Sequence, residues 1–209
     1  ADYDDDIHLA KQELEPLFHL PLKIGLDHSG LHPAAILGQV VMGQLRILDE
    51  VLFTDDQAGM TFTAFVEEEL VPTLSSRYAG MDIELTLDPA IMRSQIDGRT
   101  VWDILTKHGL VGREAPTNDP RMRRDSVAQW LNRKGGFTIS PRAKRPRAAL
   151  RGGYKFKVSS TGAILPEPVK DKHSHPAEGL QYLCLGMQAR RTVGGTMGQS
   201  TRTGAMVAR

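Results

Sequence analysis

Two aspartates stand at the ends of segments that have the pattern of β-strands. Asp27 follows the apolar run of residues 22–26, and Asp88 ends the alternating polar and apolar residues 82–88, where Pro89 stops the strand. Ligands of open α/β sheets bind at the carboxyl ends of the strands. If these two strands are neighbours, their carboxylates converge, and oxygen ligands of this type select Mg²⁺ or Mn²⁺. The spacing therefore predicts a divalent metal site.

Such a site could hydrolyse a phosphodiester. Two bound ions about 3.5–4 Å apart can activate a water molecule and stabilise the leaving oxygen. A third acid normally completes the pair of ion positions, and Glu178, at the start of the last predicted helix, is the best candidate. His173 and His175 could act as further ligands, and Glu50, at the end of the third strand, is a weaker reserve.

Each of these residues also has an interpretation without catalysis. Asp27 and Asp88 could both be turn residues, because aspartate is common in turns. Glu178 could be an acid that the helix dipole favours in the first turn. The two histidines could pack or cap, and Asp97 is expected to cap the helix that follows it. Spacing alone leaves these alternatives open.

The elements that would position the acids begin with three strands and then alternate between helices and strands. A tight turn at Met42-Gly43-Gln44 joins the second and third strands into a hairpin. Pro72 is expected near the end of the first long helix, and Gly109 just past the end of the second. We predict strands at about 22–26, 34–42, 45–51, 82–88, 110–115, 137–139, 154–158 and 163–165, and helices at about 60–72, 97–108, 120–132, 141–150 and 176–187.

This order of elements indicates an α/β fold, with a mixed β-sheet flanked by helices on both faces. A carboxylate at the end of a buried first strand, followed by two antiparallel strands, is how a ribonuclease H-like sheet begins. The chain has 209 residues, enough for one well-buried domain with extensions. The sequence therefore predicts one α/β domain as its main unit, whose opening strands resemble those of a ribonuclease H-like sheet.

The composition indicates in which cellular compartment the protein functions. No apolar run reaches the roughly 18 to 20 residues that span a bilayer, and the acidic N-terminus does not have the pattern of a signal peptide. The single cysteine, Cys184, excludes an internal disulfide and a cysteine-based zinc site. A reducing, cytoplasmic setting is the simplest fit.

Charge is unevenly distributed along the chain. Between residues 121 and 157 basic residues dominate and Asp125 is the only acid, whereas the first seventy residues lean acidic. This asymmetry indicates that the basic part of the chain faces a polyanion such as nucleic acid. The alternative is a solvated basic surface whose charge is balanced by acids elsewhere in the chain. Candidate contacts to a nucleic-acid backbone in this half are Arg142, Lys144, Arg145, Lys155 and Lys157.

Several segments, taken in order, resemble the C-terminal nuclease domain of tailed-phage terminase large subunits, the DNA-packaging motor protein. They span about residues 22 to 187, and it is the ordered set that is specific. The segments are Ile24–Asp27, Pro33–Gln39, Ile47–Glu50, Asp88–Ala90, Arg93–Gln95, Thr100–Leu105, Pro116–Pro120 and Ser174–Leu183.

The resemblance implies a ribonuclease H-like fold and cleavage of double-stranded DNA with two Mg²⁺ or Mn²⁺ ions. It assigns the ligands to Asp27, Asp88 and Glu178. Aspartate is more usual than glutamate at the third position, and Asp171, seven residues earlier, competes with Glu178. Lys170 and Lys172 could hold the scissile phosphate or could simply be solvated.

The resemblance also predicts the organisation of the chain. No segment matches the nucleotide-binding motif G-x-x-x-x-G-K-[ST] of the ATP-driven half, so we expect the nuclease half alone. Residues 1–20 would be a linker or arm toward a missing ATPase domain, residues 21–187 the nuclease domain and residues 188–209 a flexible tail.

The expected function is a metal-dependent endonuclease that cuts concatemeric phage DNA with little sequence specificity during genome packaging. Its expected partners are double-stranded DNA and, in the full motor, the ATPase domain, the small subunit and the portal. We expect no membrane partner, a monomeric isolated domain, and a host-cytoplasmic location outside the virion. Two alternatives stay open: a Holliday-junction resolvase or integrase of the same fold, and a non-catalytic module that docks on the capsid or portal.

Overall fold

Six strands form the central sheet of the structure, a computed structural model that describes residues 3–28, 32–53, 61–89, 95–96 and 98–194. Two further pairs of short strands lie outside this sheet. In chain order the strands are β1 (Leu22–Asp27), β2 (Ala34–Val41), β3 (Gln44–Leu52), β4 (Ile83–Leu87), β5 (Gln95–Ile96), β6 (Arg99–Thr100), β7 (Gly112–Glu114), β8 (Phe137–Ile139), β9 (Phe156–Val158) and β10 (Ile164–Pro168).

The helices alternate with the later strands, as the sequence predicts. Two segments of wider π-helical turns, Phe65–Leu70 and Ala149–Gly153, continue directly from short α-helices. The α-helices are α1 (Asp5–His8), α2 (Phe62–Ala64), α3 (Val71–Arg77), α4 (Val101–Lys107), α5 (Pro120–Leu131), α6 (Lys144–Ala148) and α7 (Ser174–Gly194). Among the described helices, none is both long and apolar enough to cross a membrane.

The sheet is mixed, with the order β7-β4-β1-β2-β3-β8. The first three strands are antiparallel neighbours, whereas β4 runs parallel to β1, β7 parallel to β4, and β8 parallel to β3. Met42 and Gly43 join β2 to β3 with φ of 49° and 82°, as a type I′ hairpin turn requires. The predicted mixed α/β sheet and its opening hairpin are therefore confirmed.

One face of the sheet carries the larger apolar core. Leu22, Ile24 and Leu26 alternate along β1 toward this face, because successive side chains of a strand point to opposite sides. They belong to a buried cluster that also contains apolar residues of the helical segment 62–77 and of α4. These helices cover one face of the sheet.

The other face is covered by α5 and α7. Ile36 of β2 and Ile47 of β3 lie in a second buried cluster with Val127 of α5 and with Leu180 and Leu183 of α7. Helices therefore pack on both faces, as predicted from the order of the elements.

Glycines let α7 lie directly on the sheet. A methyl group on Gly25 of β1 would clash with the carbonyl oxygen of Gly179 and with the backbone of Leu183, both in α7. A methyl group on Gly186 would clash with the side chain of Thr86 in β4. This close approach brings the first turns of α7 to the carboxyl ends of β1 and β4.

The first long helix does not end where the sequence predicts. The helical segment continues past Pro72 to Arg77, so the prediction that Pro72 lies near its end is wrong. In a regular α-helix the proline ring clashes with the carbonyl group four residues earlier. Here π-helical turns at Phe65–Leu70 precede the proline and change the spacing of these groups.

Two other helix ends differ from the prediction. Thr100 caps α4, and it exchanges hydrogen bonds with Asp103 in a capping box, whereas the predicted cap, Asp97, lies outside the described residues. The last helix runs through Gly194 rather than ending at Met187. Residues 195–209 lie outside the described part, so the predicted flexible tail stays a prediction there.

The described part of the predicted N-terminal arm lies against the sheet. Leu9 pairs with Ile139 of β8, and the buried ring of His8 packs between Tyr3 and Phe137. The side chain of Gln39 holds the backbone near Leu17 through hydrogen bonds of 2.9 Å in both directions. A link from this segment to a further domain stays a prediction.

Candidate metal centre

The carboxylates of Asp27 and Asp88 lie side by side at one edge of the sheet. Leu26 of β1 pairs with Leu87 of β4, and in these parallel strands the next residue of each is an aspartate. Asp27 is fully buried and Asp88 is 7% exposed. One potential ligand atom from each aspartate and one from His28 lie within 4.8 Å of one another. The strand-end aspartates therefore converge as the sequence predicts.

A second cluster shares Asp27. One potential ligand atom from each of Asp27, His175 and Glu178 lies within 4.8 Å of the others. His175 Nδ1 lies 2.9 Å from Asp27 Oδ2, and Glu178 is buried one turn further along α7. Asp27 is therefore placed to contribute to two adjacent ligand sets.

The donor atoms of both clusters fit a divalent ion. Carboxylate oxygens suit Mg²⁺ and Mn²⁺, and imidazole nitrogens suit transition metals. Carboxylates of this burial need compensating positive charge, which a metal ion can supply. Asp27, Asp88 and Glu178 could thus hold ions on both sides of Asp27, with His28 and His175 as additional ligands.

Opposing electrostatic effects act on the carboxylate of Glu178. Burial raises its pKa, as does the nearby Asp27 carboxylate, while Lys170 and Arg123 oppose this rise. Lys170 Nζ donates hydrogen bonds of 2.7 Å to both carboxylate oxygens, and Arg123 Nη2 lies 3.8 Å from Oε1. The carboxylate therefore lies between two cations.

A buried network of hydrogen bonds positions Arg123, one of the two cations beside Glu178. Arg123 Nη1 donates to the hydroxyl of Tyr182 over 3.0 Å, and that hydroxyl donates to Asn118 Oδ1 over 2.9 Å. Burial strongly raises the pKa of Tyr182, so its hydroxyl keeps its proton. Since Tyr182 lies one helical turn after Glu178, the network fixes Arg123 against the acidic face of α7.

His28 adds an imidazole to the aspartate pair. Burial lowers the pKa of His28, whereas the carboxylates of Asp27 and Asp88 oppose that shift. A neutral imidazole is the form that binds metal ions. His28 and the Arg123–Tyr182 contact were missed from sequence, although His28 directly follows Asp27 and Tyr182 has i, i+4 spacing to Glu178.

The competing acids have other partners. Asp171 Oδ1 accepts a hydrogen bond from the backbone N–H of His173, and its carbonyl oxygen accepts one from Ser174 at the start of α7. Glu50 accepts a 2.7 Å hydrogen bond from the backbone N–H of Arg145. Neither acid belongs to the two ligand clusters found among the described residues, and His173 does not either. Of the competitors for the third position, the structure places Glu178 beside Asp27.

The predicted DNA contacts divide into two groups. Arg145, Lys170 and Lys172 line a cavity of about 260 Å³ together with His175, next to the acids. Arg142 instead forms an ion pair with Glu13, and Lys157 forms one of 2.8 Å with Glu167. Lys144 and Lys155 are exposed. Of the predicted DNA contacts, Lys170 touches the candidate metal centre itself, and Arg145 and Lys172 line the same cavity as Lys170.

Comparison with known proteins adds structural neighbours only. No family model and no curated protein matches the chain. The large terminase from the thermophilic bacteriophage D6E, in complex with ADP, superposes with a TM-score of 0.69 over 87% of this chain at 16% identity. The match covers 42% of that protein, so this chain spans less than half of its length.

Isolated nuclease domains match over nearly their whole length. The g2p large terminase nuclease domain from bacteriophage SPP1, with bound Mn, has a TM-score of 0.55 at 15% identity, covering 84% of this chain and 94% of that one. The large terminase nuclease from thermophilic phage G20c, with bound magnesium, has a TM-score of 0.56 at 13% identity, covering 88% and 93%. The chain therefore has the ribonuclease H-like fold of large terminase nuclease domains.

Proposed function

We propose that this chain is a metal-dependent endonuclease that hydrolyses phosphodiester bonds of double-stranded DNA. The observation that carries the proposal is the position of Asp27, a fully buried carboxylate shared by two adjacent sets of potential metal ligands. Structural neighbours with bound Mn and magnesium support a divalent ion. The proposed cofactors are two Mg²⁺ or Mn²⁺ ions, which the two ligand sets that share Asp27 would hold.

In the proposed mechanism, the side chains of the two clusters bind the metal ions. Asp27, Asp88 and Glu178 would hold the ions, and His28 and His175 would complete the ligand sets. When bound, divalent ions supply a water molecule of lowered pKa and stabilise negative charge at the phosphodiester. The burial of the acids excludes bulk water, so their charges act on the ions with little screening.

The basic cavity beside the acids provides the proposed DNA contact. Arg145, Lys170 and Lys172 line the same cavity as His175, which contacts Asp27, so they would hold a phosphate close to the acids. Contacts to phosphates carry affinity but no sequence information, so we infer cleavage with little sequence specificity. Binding should weaken steeply as salt concentration rises, because each neutralised phosphate releases counterions.

The biological setting belongs to the proposal as well. We infer that the substrate is concatemeric phage DNA, cut in the host cytoplasm during genome packaging. The partners would be an ATPase domain, a small subunit and a portal, with the segment of residues 1–20 leading toward the ATPase domain. The fold supports this inference, and so does its likeness to a large terminase and to an isolated large terminase nuclease domain.

Cleavage of supercoiled plasmid in Mn²⁺ tests the proposed function. Asp27→Asn and Asp88→Asn should each lower the cleavage rate at least about a hundredfold, because each removes a charged ligand worth several kcal/mol of transition-state stabilisation. Asp49→Asn is the matched control, because Asp49 is an equally buried strand aspartate outside both clusters. It should keep the wild-type rate per folded molecule.

Other outcomes would contradict the proposal. Undiminished cutting by Asp27→Asn or Asp88→Asn would refute the site. Preferential cutting of four-way junctions over linear duplex would favour the resolvase alternative. No cutting with any divalent ion, together with metal-independent binding of a portal or capsid protein, would favour the docking alternative.

A further inference from the structure

Lys170 makes an unusual contact with the third acid of the candidate metal centre. Its ammonium nitrogen lies 2.7 Å from both carboxylate oxygens of Glu178. The Glu178 side chain is 4% exposed, whereas that of Lys170 is 56% exposed. Lys170 belongs to the loop between β10 and α7, so the cation reaches a buried acid from the surface.

The two cations beside Glu178 differ in their freedom to move. Arg123 is buried and held by the hydroxyl of Tyr182, so its guanidinium is fixed. Lys170 is a long side chain on an exposed loop, and it lines the 260 Å³ cavity toward which it could swing. Of the two, Lys170 is the cation that can leave Glu178.

A metal ion and Lys170 compete for the carboxylate of Glu178 in this geometry. A divalent ion bound to a carboxylate oxygen at about 2.1 Å would meet an ammonium group that already contacts both oxygens. The two positive charges repel, and the ammonium occupies the position between the two oxygens, where the carboxylate would bind an ion through both of them. Binding of an ion through both oxygens of Glu178 therefore requires that Lys170 moves.

On the basis of the proposed function, we propose that Lys170 is a built-in counter-ion that holds Glu178 until a divalent ion displaces it. Without metal, the ammonium compensates a buried carboxylate that lies next to Asp27. With metal, the released lysine lies beside Arg145 and Lys172, where a phosphate of the substrate would be bound. Lys170 is thus a positioning residue that sets the metal affinity of the Glu178 side.

Thermal unfolding with and without Mn²⁺ tests this role. Lys170→Met should melt about 4 °C below wild type in EDTA, because Glu178 loses its counter-ion. In saturating Mn²⁺ the two proteins should melt alike, so the variant gains more from the metal. Calorimetry should show a Kd for Mn²⁺ that is about tenfold lower in the variant, because one repelling charge is gone.

Matched variants distinguish the effect of the charge of Lys170 from the effect of its hydrogen bonds and size. Lys170→Gln keeps a hydrogen-bond donor without the charge and should behave like Lys170→Met, whereas Lys170→Arg should behave like wild type. Lys172→Met is the control on the same loop, since among the described residues its side chain forms no ion pair. It should leave the gain from Mn²⁺ unchanged.

The outcomes distinguish the two proposals. Equal gains from Mn²⁺ in wild type, Lys170→Met and Lys170→Gln would overturn the role of Lys170 and leave the metal centre intact. A wild-type chain that neither binds Mn²⁺ in calorimetry nor gains stability from it would overturn the metal centre itself, and the role of Lys170 with it.

Discussion

Two groups of buried carboxylates lie in the same sheet but have different surroundings. Asp27 and Asp88 end neighbouring strands and face each other, with imidazoles nearby. Asp49 lies within β3, where Arg77 Nη1 lies 2.5 Å and the Tyr78 hydroxyl 3.3 Å from Oδ2. Burial of an acid therefore does not by itself indicate a metal site.

The difference lies in which partner neutralises the acid. At β3 an arginine and a tyrosine already satisfy Asp49, and Arg142 adds a second guanidinium at 3.9 Å. At the candidate metal centre, Glu178 is held by Lys170, which can leave, and the carboxylate of Asp27 lies against His175. Asp49 is compensated by three side chains at once, which makes it structural, whereas the closest partner of Glu178 is one exposed lysine that a metal ion can replace.

The candidate metal centre differs from the Asp49 site in that it depends on the position of α7. Of the variants considered, Gly25→Ala should displace α7 most. The new methyl group meets the backbone of α7, which cannot yield as a flexible side chain can. We expect a loss of about 3 kcal/mol in the free energy of unfolding and a loss of cleavage, because Glu178 moves away from Asp27. Urea unfolding and plasmid cleavage measure the two effects.

Gly179→Ala gives a graded comparison for the same interface. Its methyl group would approach Ile36 Cγ1 at 3.1 Å and the carbonyl oxygen of Ala34 at 3.2 Å, which is tight but not a severe clash. It should therefore cost clearly less stability than Gly25→Ala. Equal costs for the two variants would contradict the direct contact of α7 with β1.

Glu50 is an acid outside the candidate metal centre, and its effect on stability should depend on pH. Burial raises the pKa of Glu50 to about 7, and the hydrogen bond from the backbone N–H of Arg145 opposes this rise. Because the folded state then holds a proton that the unfolded state has released, stability falls as pH rises from about 4.5 to about 7. Without metal, this fall should amount to about 3 kcal/mol over the full range, similar to the effect of Gly25→Ala.

Glu50→Gln should remove that part of the pH dependence, since glutamine stays neutral and can still accept the hydrogen bond. Urea unfolding of metal-free wild type and variant at pH 5 and pH 8 measures the change. A variant that loses as much stability as wild type between these pH values would show that Glu50 does not titrate in this range.

The parts of the fold that depend on local pattern were predictable from the sequence. The strands that end in Asp27 and Asp88 have clear apolar patterns, and their adjacency follows from parallel pairing at one sheet edge. Glu178 could be named because it lies in the first turns of a predicted helix and because of the family resemblance. Asp119 and Gly109 likewise mark helix ends by local chemistry that sequence shows.

What the sequence did not show depends on how the elements dock. The contact of His175 with Asp27 exists only because Gly25 allows α7 to touch β1. The support of Glu178 by Arg123 and Tyr182 needs α5 beside α7, which no local pattern specifies. The continuation of the helix past Pro72 depends on π-helical turns that the apolar periodicity does not reveal.

Anomalous diffraction from crystals grown with Mn²⁺ tests the central claim most directly, because it locates the ions and their ligands together. We predict anomalous peaks within coordination distance of Asp27, one toward Asp88 and one toward Glu178, with Lys170 displaced from Glu178. Peaks only at other acids, such as Asp49 and Glu50, or no peak beside Asp27 at saturating Mn²⁺, would contradict the account.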